Sequence, residues 1–405
     1  MRFIIPILLA VMLSGCSINT LSKKEIDEMK SQYKLQYGKN PDLWPVIVGL
    51  KNDMTNIFSV PVENAVGTNS FNNAITLLKF KSDQIEYDEV RRDFVDGVGI
   101  GDKFYPRMFN GPWIGYTQTR GFLLFNFKEK KGIRYMPQMS MSEYYTGVQT
   151  FDESKLQFVF QKLEEGNGLK GIRHLQLLEF HPDGTFKILA EMKAGAHEIG
   201  YVEPWAIQNR TLFVYRNDSV KINAYNEKFQ QVRHPFCDLF NGLEKFQCLE
   251  QLILHPTGSF AILVEVPQEY RGDYWVYLAC WQNKDPEKRF FELLGQEISM
   301  FSEWRDLKGL KCSHFEFSPD GRWLVFRDDS EMVLQSIANP TFVAMPVDVD
   351  REMPLGKPKI LGKVMREYAY PTSTAWIKKP LSFVVSDGMV LYKWELDNLQ
   401  REFKD

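Results

Sequence analysis

The sequence carries no surplus of charge of either sign. Its 49 basic and 52 acidic side chains leave a formal net charge of −3, so the electrostatic footprint of a nucleic-acid binder is missing. Histidine is scarce. No two of His174, His181, His197, His234, His255 and His314 have the spacing of a helical zinc motif, and Ala196-His197-Glu198-Ile199 lacks the second histidine of H-E-x-x-H. There is no G-x-S-x-G elbow, no P-loop and no G-x-G-x-x-G after a strand, which removes the usual signatures of serine hydrolases, phosphate binders and dinucleotide enzymes. After the first residues no hydrophobic run approaches the ~20 residues of a membrane-spanning helix. On these grounds no catalytic residue, metal ligand or cofactor is expected. What is abundant is aromatic: 30 Phe, 17 Tyr and 9 Trp can bury a sizeable core, which excludes disorder as the main state.

The amino terminus reads as an address. Met1-Arg2 is positive, and Phe3 to Leu13 (FIIPILLAVML) is an apolar run of eleven residues. That is too short to span a bilayer but is the size of a signal-peptide core. Leu13-Ser14-Gly15-Cys16 follows. This leader resembles the lipobox of bacterial lipoproteins. The resemblance implies cleavage before Cys16, diacylation of its thiol and acylation of the new amino terminus. Several acyl chains on one terminus anchor stably. Ser17 in place of Asp implies, by that family's enterobacterial sorting rule, the periplasmic face of the outer membrane. Residues 1–15 are then signal peptide. Residues 16–41, with Lys23-Lys24-Glu25 and Asp27-Glu28, read as a lipidated tether with a short helix. Residues 42–405 read as the folded part.

Four more cysteines occur, at 237, 248, 280 and 312. Cys237 and Cys248 flank a polar segment, Asn241 to Lys245. An oxidising compartment permits a disulfide between them, which would close a short loop and contribute about 3 kcal/mol in the chain-entropy model. Four buried free thiols is the other expectation. Cys280, inside YWVYLACW, reads as core.

From about Asp42 the pattern is one of short apolar or alternating runs separated by turns, the signal of β-strands. Three segments align: Leu175 to Ala190 (LQLLEFHPDGTFKILA), Leu249 to Val264 (LEQLILHPTGSFAILV) and Ser313 to Phe326 (SHFEFSPDGRWLVF). Each is a strand, a Pro-x-Gly turn and a second strand; Pro suits the first central position of such a turn and Gly the positive φ that follows. His181 and His255 share the position before Pro with Ser318 and read as turn residues. Weaker copies run from Trp113 to Phe127 and from Thr374 to Val385. The aromatics opening the second strands, Phe122, Phe186, Phe260, Trp323 and Phe383, lie 64, 74, 63 and 60 residues apart. That interval suits four strands with loops, the unit of a propeller blade.

Three units can be spelled out: LQLLEF, FKILAEM, TLFVYR, VKINAYN; then EQLIL, FAILVEV, YWVYLACW, KRFFELL; then HFEF, WLVFRD, MVLQSI, TFVAMPV. The last unit shows only TAWI, LSFVV and MVLYKWEL, and its missing outer strand is expected from Val46-Ile47-Val48. Asn56 to Asp102 supplies one less regular unit. The Ser-Pro-Asp-Gly turn resembles TolB-like and WD-related propeller repeats over about Trp113 to Leu396. The fold class expected is all-β, a β-propeller of six blades, or seven if the first hundred residues hold two; stacked β-sandwiches are the alternative architecture.

Function is sought in the loops, which carry it disproportionately on rigid scaffolds. The long ones hold Tyr201 and Trp205, Tyr270 and Arg271, Trp304 and Arg305, and Tyr368, residue types enriched at binding hot spots. They are expected to form a binding face; packing of the loops onto the blade ends is the alternative role for each. The reading is a monomeric, non-catalytic module that engages another protein through this face, touches the membrane through its lipid anchor alone and binds no nucleic acid. It would be an envelope-assembly factor or an immunity protein against a secreted antibacterial toxin. The alternative is a propeller enzyme or glycan-binding protein acting on cell-envelope material.

Overall fold

The structure is a computed structural model. It describes the strands and most tight turns between Val46 and Phe403; residues 1–45 and 404–405 lie outside the description, as do 50–55, 92–106, 136–142, 199–203, 243–248, 266–274, 293–311, 329–340 and 365–372, with shorter intervals elsewhere. The tether and its helix therefore fall outside the described residues.

The described residues form seven four-stranded antiparallel sheets. In chain order they cover 56–91, 107–135, 143–198, 205–232, 249–292, 312–363 and 373–395. Six pair their strands in order of sequence, and the seventh takes Val46–Gly49 as its fourth strand, with Val46 opposite Lys393 and Gly49 opposite Val390. The strand expected from Val46-Ile47-Val48 is thus in place. Seven is one more than the six units counted from the hairpins, and equals the alternative count.

The extra sheet does not come from the first hundred residues. It comes from Glu143–Asp152 and Gln157–Glu165, which pair with Lys170–Phe180 and Phe186–Glu198. LQLLEF and FKILAEM are therefore the third and fourth strands of one sheet. TLFVYR and VKINAYN are the second and third of the next, after Trp205–Gln208 and before Gln231–Val232. A third-to-fourth hairpin turns at the same end of a sheet as a first-to-second one, so their turn sequences look alike. The sheet from Cys312–Phe317 also differs from expectation: TFVAMP is its third strand and Lys359–Lys363 its fourth. MVLQSI lies outside the described residues, and the segment read as one long loop, 350–372, contains that fourth strand.

The chain divides into two compact units. The first spans Met1–Asp96 and Tyr368–Asp397. Its two sheets share a core of Ile57, Val66, Leu78, Phe80 and Ile85 with Ala375, Ile377, Val384 and Leu391. Hydroxyls stitch the sheets where strands run side by side: Ile57 N donates to Ser373 Oγ at 3.0 Å and Trp376 N to Ser59 Oγ at 2.6 Å. Gly67 stands opposite Phe58, whose ring fills the space a Cβ would need.

The second unit spans Gly97–Glu367 and Asn398–Asp405 and holds five sheets. Alternating strand residues point to opposite faces, so each consecutive pair of sheets closes a separate apolar layer. Leu124 meets Phe158, Phe160 and Phe180; Val159, Leu175 and Leu177 meet Leu212 and Val214; Phe213 and Tyr215 meet Leu263 and Tyr277; Ile262 and Leu278 meet Phe315 and Phe326.

Two outer edges are finished differently. Phe186–Glu198 is bulged twice, at Leu189 and Ala194, where its register on the third strand slips. Bulges of this kind blunt an edge against pairing with a foreign strand. In the 205–232 sheet the fourth strand is only Gln231–Val232, and helix α1 (Pro235–Asn241) replaces the rest. Asn241 takes over the strand's bonding: its Oδ1 accepts from Ile222 N at 2.9 Å and its Nδ2 donates to Ile222 O at 3.0 Å. Phe236 and Phe240 on α1 are buried against Phe213, Tyr215 and Trp281.

Candidate binding face

In the six sheets built from consecutive strands the first-to-second and third-to-fourth connections share one end, and the remaining connections share the other. In the second unit the two ends differ in kind. From the 143–198 sheet onward the tight-turn end is closed by bonds from one sheet to the next. Arg210 pairs with Asp152 at 3.2 Å and also with Glu227. Gln208 Nε2 donates to the carbonyl of His255, and the His255 ring reaches Gly321 O at 2.9 Å. Asp152 caps its own turn through Ser154, and that hydrogen bond, helped by Arg210, holds its carboxyl below the usual range against the opposing effect of burial.

Tyr201, Tyr270, Arg271, Trp304 and Arg305 belong to connections between strands of this unit, and Tyr368 belongs to the first unit. All six lie outside the described residues. Trp205 is described, and it is a strand residue rather than a loop one. It opens Trp205–Gln208, is half-buried, and packs with Val214, Leu175 and Leu177 in the layer between two sheets. Its ring lies 3.5 Å from the position of a Cβ on Gly147, and its carbonyl accepts from Gln149 Nε2 at 3.1 Å.

Beside α1 lies a cavity of about 340 Å³, lined among others by Asn223, Gln231, Arg233, His234, Cys237 and Asp238. Its polar groups are engaged within the protein. Arg233 pairs with Asp238 at 2.8 Å, Gln231 Nε2 donates to Asn223 Oδ1 at 3.3 Å, and His234 Nδ1 accepts from Phe236 N at 3.2 Å as the cap of α1. Burial pushes the His234 ring below its ordinary range, with Asp238 opposing.

Cys237 is a free thiol, so the bridge to Cys248 expected as one alternative is not formed; Cys248 itself lies outside the described residues. The side chain of Cys237 packs among Phe236, Phe240 and Leu252, a better use of a small apolar group than a crosslink. Burial pushes the thiol up to about 12. At pH 8 roughly one thiol in ten thousand is then ionised, and the thiolate is the reactive form. Cys237 should resist iodoacetamide in the native protein and label after denaturation without reductant, as read by peptide mapping. A disulfide would block labelling in both states until reductant is added. Cys280 is buried on its strand, as read from the sequence.

Several polar features had no sequence signal. Arg173 is buried at 1% exposure, and its Nη2 donates to Ala194 O at 2.8 Å and, one sheet over, to Tyr215 O at 3.2 Å. His174 has Glu164 at 3.3 Å on one ring nitrogen and Glu191 at 3.2 Å on the other, from the two flanking strands. Among the described residues no group of three or more His, Cys, Asp or Glu is placed to hold a metal, and no helix is long and apolar enough to cross a membrane.

Repeated four-stranded antiparallel sheets of this kind define the class: the fold is an all-β propeller. No protein-family model and no curated protein sequence matches the chain. Solved structures similar to it include the β-propeller domain of Myceliophteria thermophila Cps50 (Swd1), at 8% identity, covering 85% of this chain and 97% of that one with a TM-score of 0.47. The computationally designed Ika8 protein is similar at 11% identity, covering 86% and 98% with a TM-score of 0.45.

Proposed function

We propose that the chain is a non-catalytic protein-interaction module of the bacterial envelope, held at the periplasmic face of the outer membrane by lipid on Cys16. The anchor rests on the leader sequence. The binding role rests on the asymmetry between the two sheet ends of the second unit. At one end the side chains are spent on bonds between neighbouring turns. The connections assigned to the other end hold, in the sequence, Trp304, Arg305, Tyr270, Arg271 and Tyr201, residue types that dominate interface energetics. An envelope-assembly factor and an immunity protein against a secreted toxin both fit such a module.

The test is affinity capture from envelope extracts with the full chain and two variants. Trp304→Ala should lose the captured partner by about thirtyfold in affinity, the size of a hot-spot loss, with its melting temperature nearly unchanged. Trp205→Ala should lower the melting temperature first, because its ring packs between two sheets. If Trp304→Ala keeps full affinity, the face is not the interface. In the same cells Cys16→Ala should leave the membrane fraction; equal palmitate incorporation by that variant would contradict the anchor.

A further inference from the structure

His255 joins two sheets through a ring that its partners hold in one neutral tautomer. Its ring is fully buried, stacked on Phe260 at 4.0 Å and met edge-on by Phe317 at 4.8 Å. Nε2 faces the carbonyl oxygen of Gly321 at 2.9 Å, so Nε2 carries a proton. Nδ1 faces the backbone N–H of Thr257 at 3.2 Å and the Thr257 hydroxyl at 2.7 Å. The amide can only donate, so Nδ1 is bare. The partners on the two sides thus select one neutral tautomer. The fit leaves no slack: Gly321 has φ +72°, and a Cβ there would lie 2.6 Å from Nε2.

We infer that His255 is a proton-operated weak point of the junction between the 249–292 and 312–363 sheets: protonation keeps the Nε2 bond to Gly321 O but breaks the bonding at Nδ1 that seats the ring. A proton added at Nδ1 meets the Thr257 amide head-on. The Thr257 hydroxyl can reverse to accept it, but then changes its bond with Ser259 Oγ at 2.8 Å, and the amide loses its acceptor. The cation is also buried without a free counter-charge. Among the described residues the carboxylate acting on it is Asp320, which already accepts from Ser318 Oγ at 2.6 Å and from Arg322 N at 3.0 Å and pairs with the Arg322 side chain. From the 205–232 sheet the neutral Gln208 and Asn209 approach this turn. Burial depresses the ring's proton affinity, outweighing the opposing effects of Gly321 O and Asp320.

The sign follows from that depression. The unfolded ring, near 6.5, takes up its proton before the folded one does. The junction's full strength is present above that range and is lost as pH falls through it toward the lower native value. Because Gly258 N donates to His255 O and Gly321 N to Ser318 O, both at 2.9 and 2.8 Å, these two amides report the turns directly.

The test is hydrogen exchange of the full chain, read at Gly258 and Gly321 at pH 7.5 and pH 5.5 and corrected for intrinsic rates. Protection there should fall severalfold on acidification. The Phe229 amide, in the histidine-free turn held by Asn226, should keep its protection. His255→Gln keeps a side-chain donor toward Gly321 without titrating, and should flatten the pH dependence at both amides. Equal protection at the two pH values in the wild-type chain overturns the inference, and this reading needs no variant to fold. So does the same acid loss persisting in His255→Gln.

Discussion

A chain ended at Pro371 is expected to lose the whole first unit. The truncation removes all three strands from Ser373–Lys378 to Val390–Glu395, and Val46–Gly49 loses its partner. Ala375, Ile377, Val384 and Leu391 leave the shared core, exposing Ile57, Leu78, Phe80 and Ile85. Each large apolar side chain returned to water costs ~1.5–3 kcal/mol, so four of them approach the ~5–15 kcal/mol that stabilises a folded chain. The bonds from Ile57 and Trp376 to the stitching hydroxyls go as well. Limited proteolysis should cut freely within the 56–91 sheet of the truncated chain, and its melt should lose cooperativity. A soluble fragment with that sheet protected would refute the expectation.

The second large effect is expected at Arg173. Arg173→Ala removes two charge-assisted bonds, to Ala194 O and Tyr215 O, each worth ~1.5–3 kcal/mol. The two acceptors lie in different sheets, so the change strikes the junction between the 143–198 and 205–232 sheets and not one strand alone. The expected cost is about 3–5 kcal/mol, read as a lower denaturation midpoint at unchanged slope. Arg173→Met refills most of the volume without restoring the bonds, and should recover part of the loss. A midpoint for Arg173→Ala indistinguishable from wild type would show that the guanidinium is not a structural tie.

The sequence shows the hairpins of this fold better than their phase. Pro-x-Gly turns at His255 to Gly258 and Ser318 to Gly321 are where the spacing places them, with both glycines at positive φ. The completion of the last sheet by Val46–Gly49 was legible because that unit lacked a strand. The split of the supposed unit from Leu175 to Asn226 was not legible. Glu143–Asp152 and Gln157–Glu165 carry Gln, Lys, Glu and Thr among their apolar residues, two of them, Gln157 and Gln161, buried, which masks the apolar run of a strand. Helix α1 replaces a strand by the side chain of a single residue, Asn241, and no periodicity over seven residues announces that. His255 read as a turn residue from its repeat position, but its partner Gly321 belongs to the next sheet, and a repeat does not say which neighbour a side chain meets. The candidate face, by contrast, rests on residue types in the long connections, with Trp205 alone placed by the structure and placed in a packing layer.

The pairing of Val46 with Lys393 sets an order of events during synthesis. The strand that completes the sheet leaves the ribosome long before its partner does. Until Val390–Glu395 appears, the outer strand has nothing to bond, and the first unit stays open. Contacts so distant in sequence slow folding, because the loop between them must be closed before they reward it.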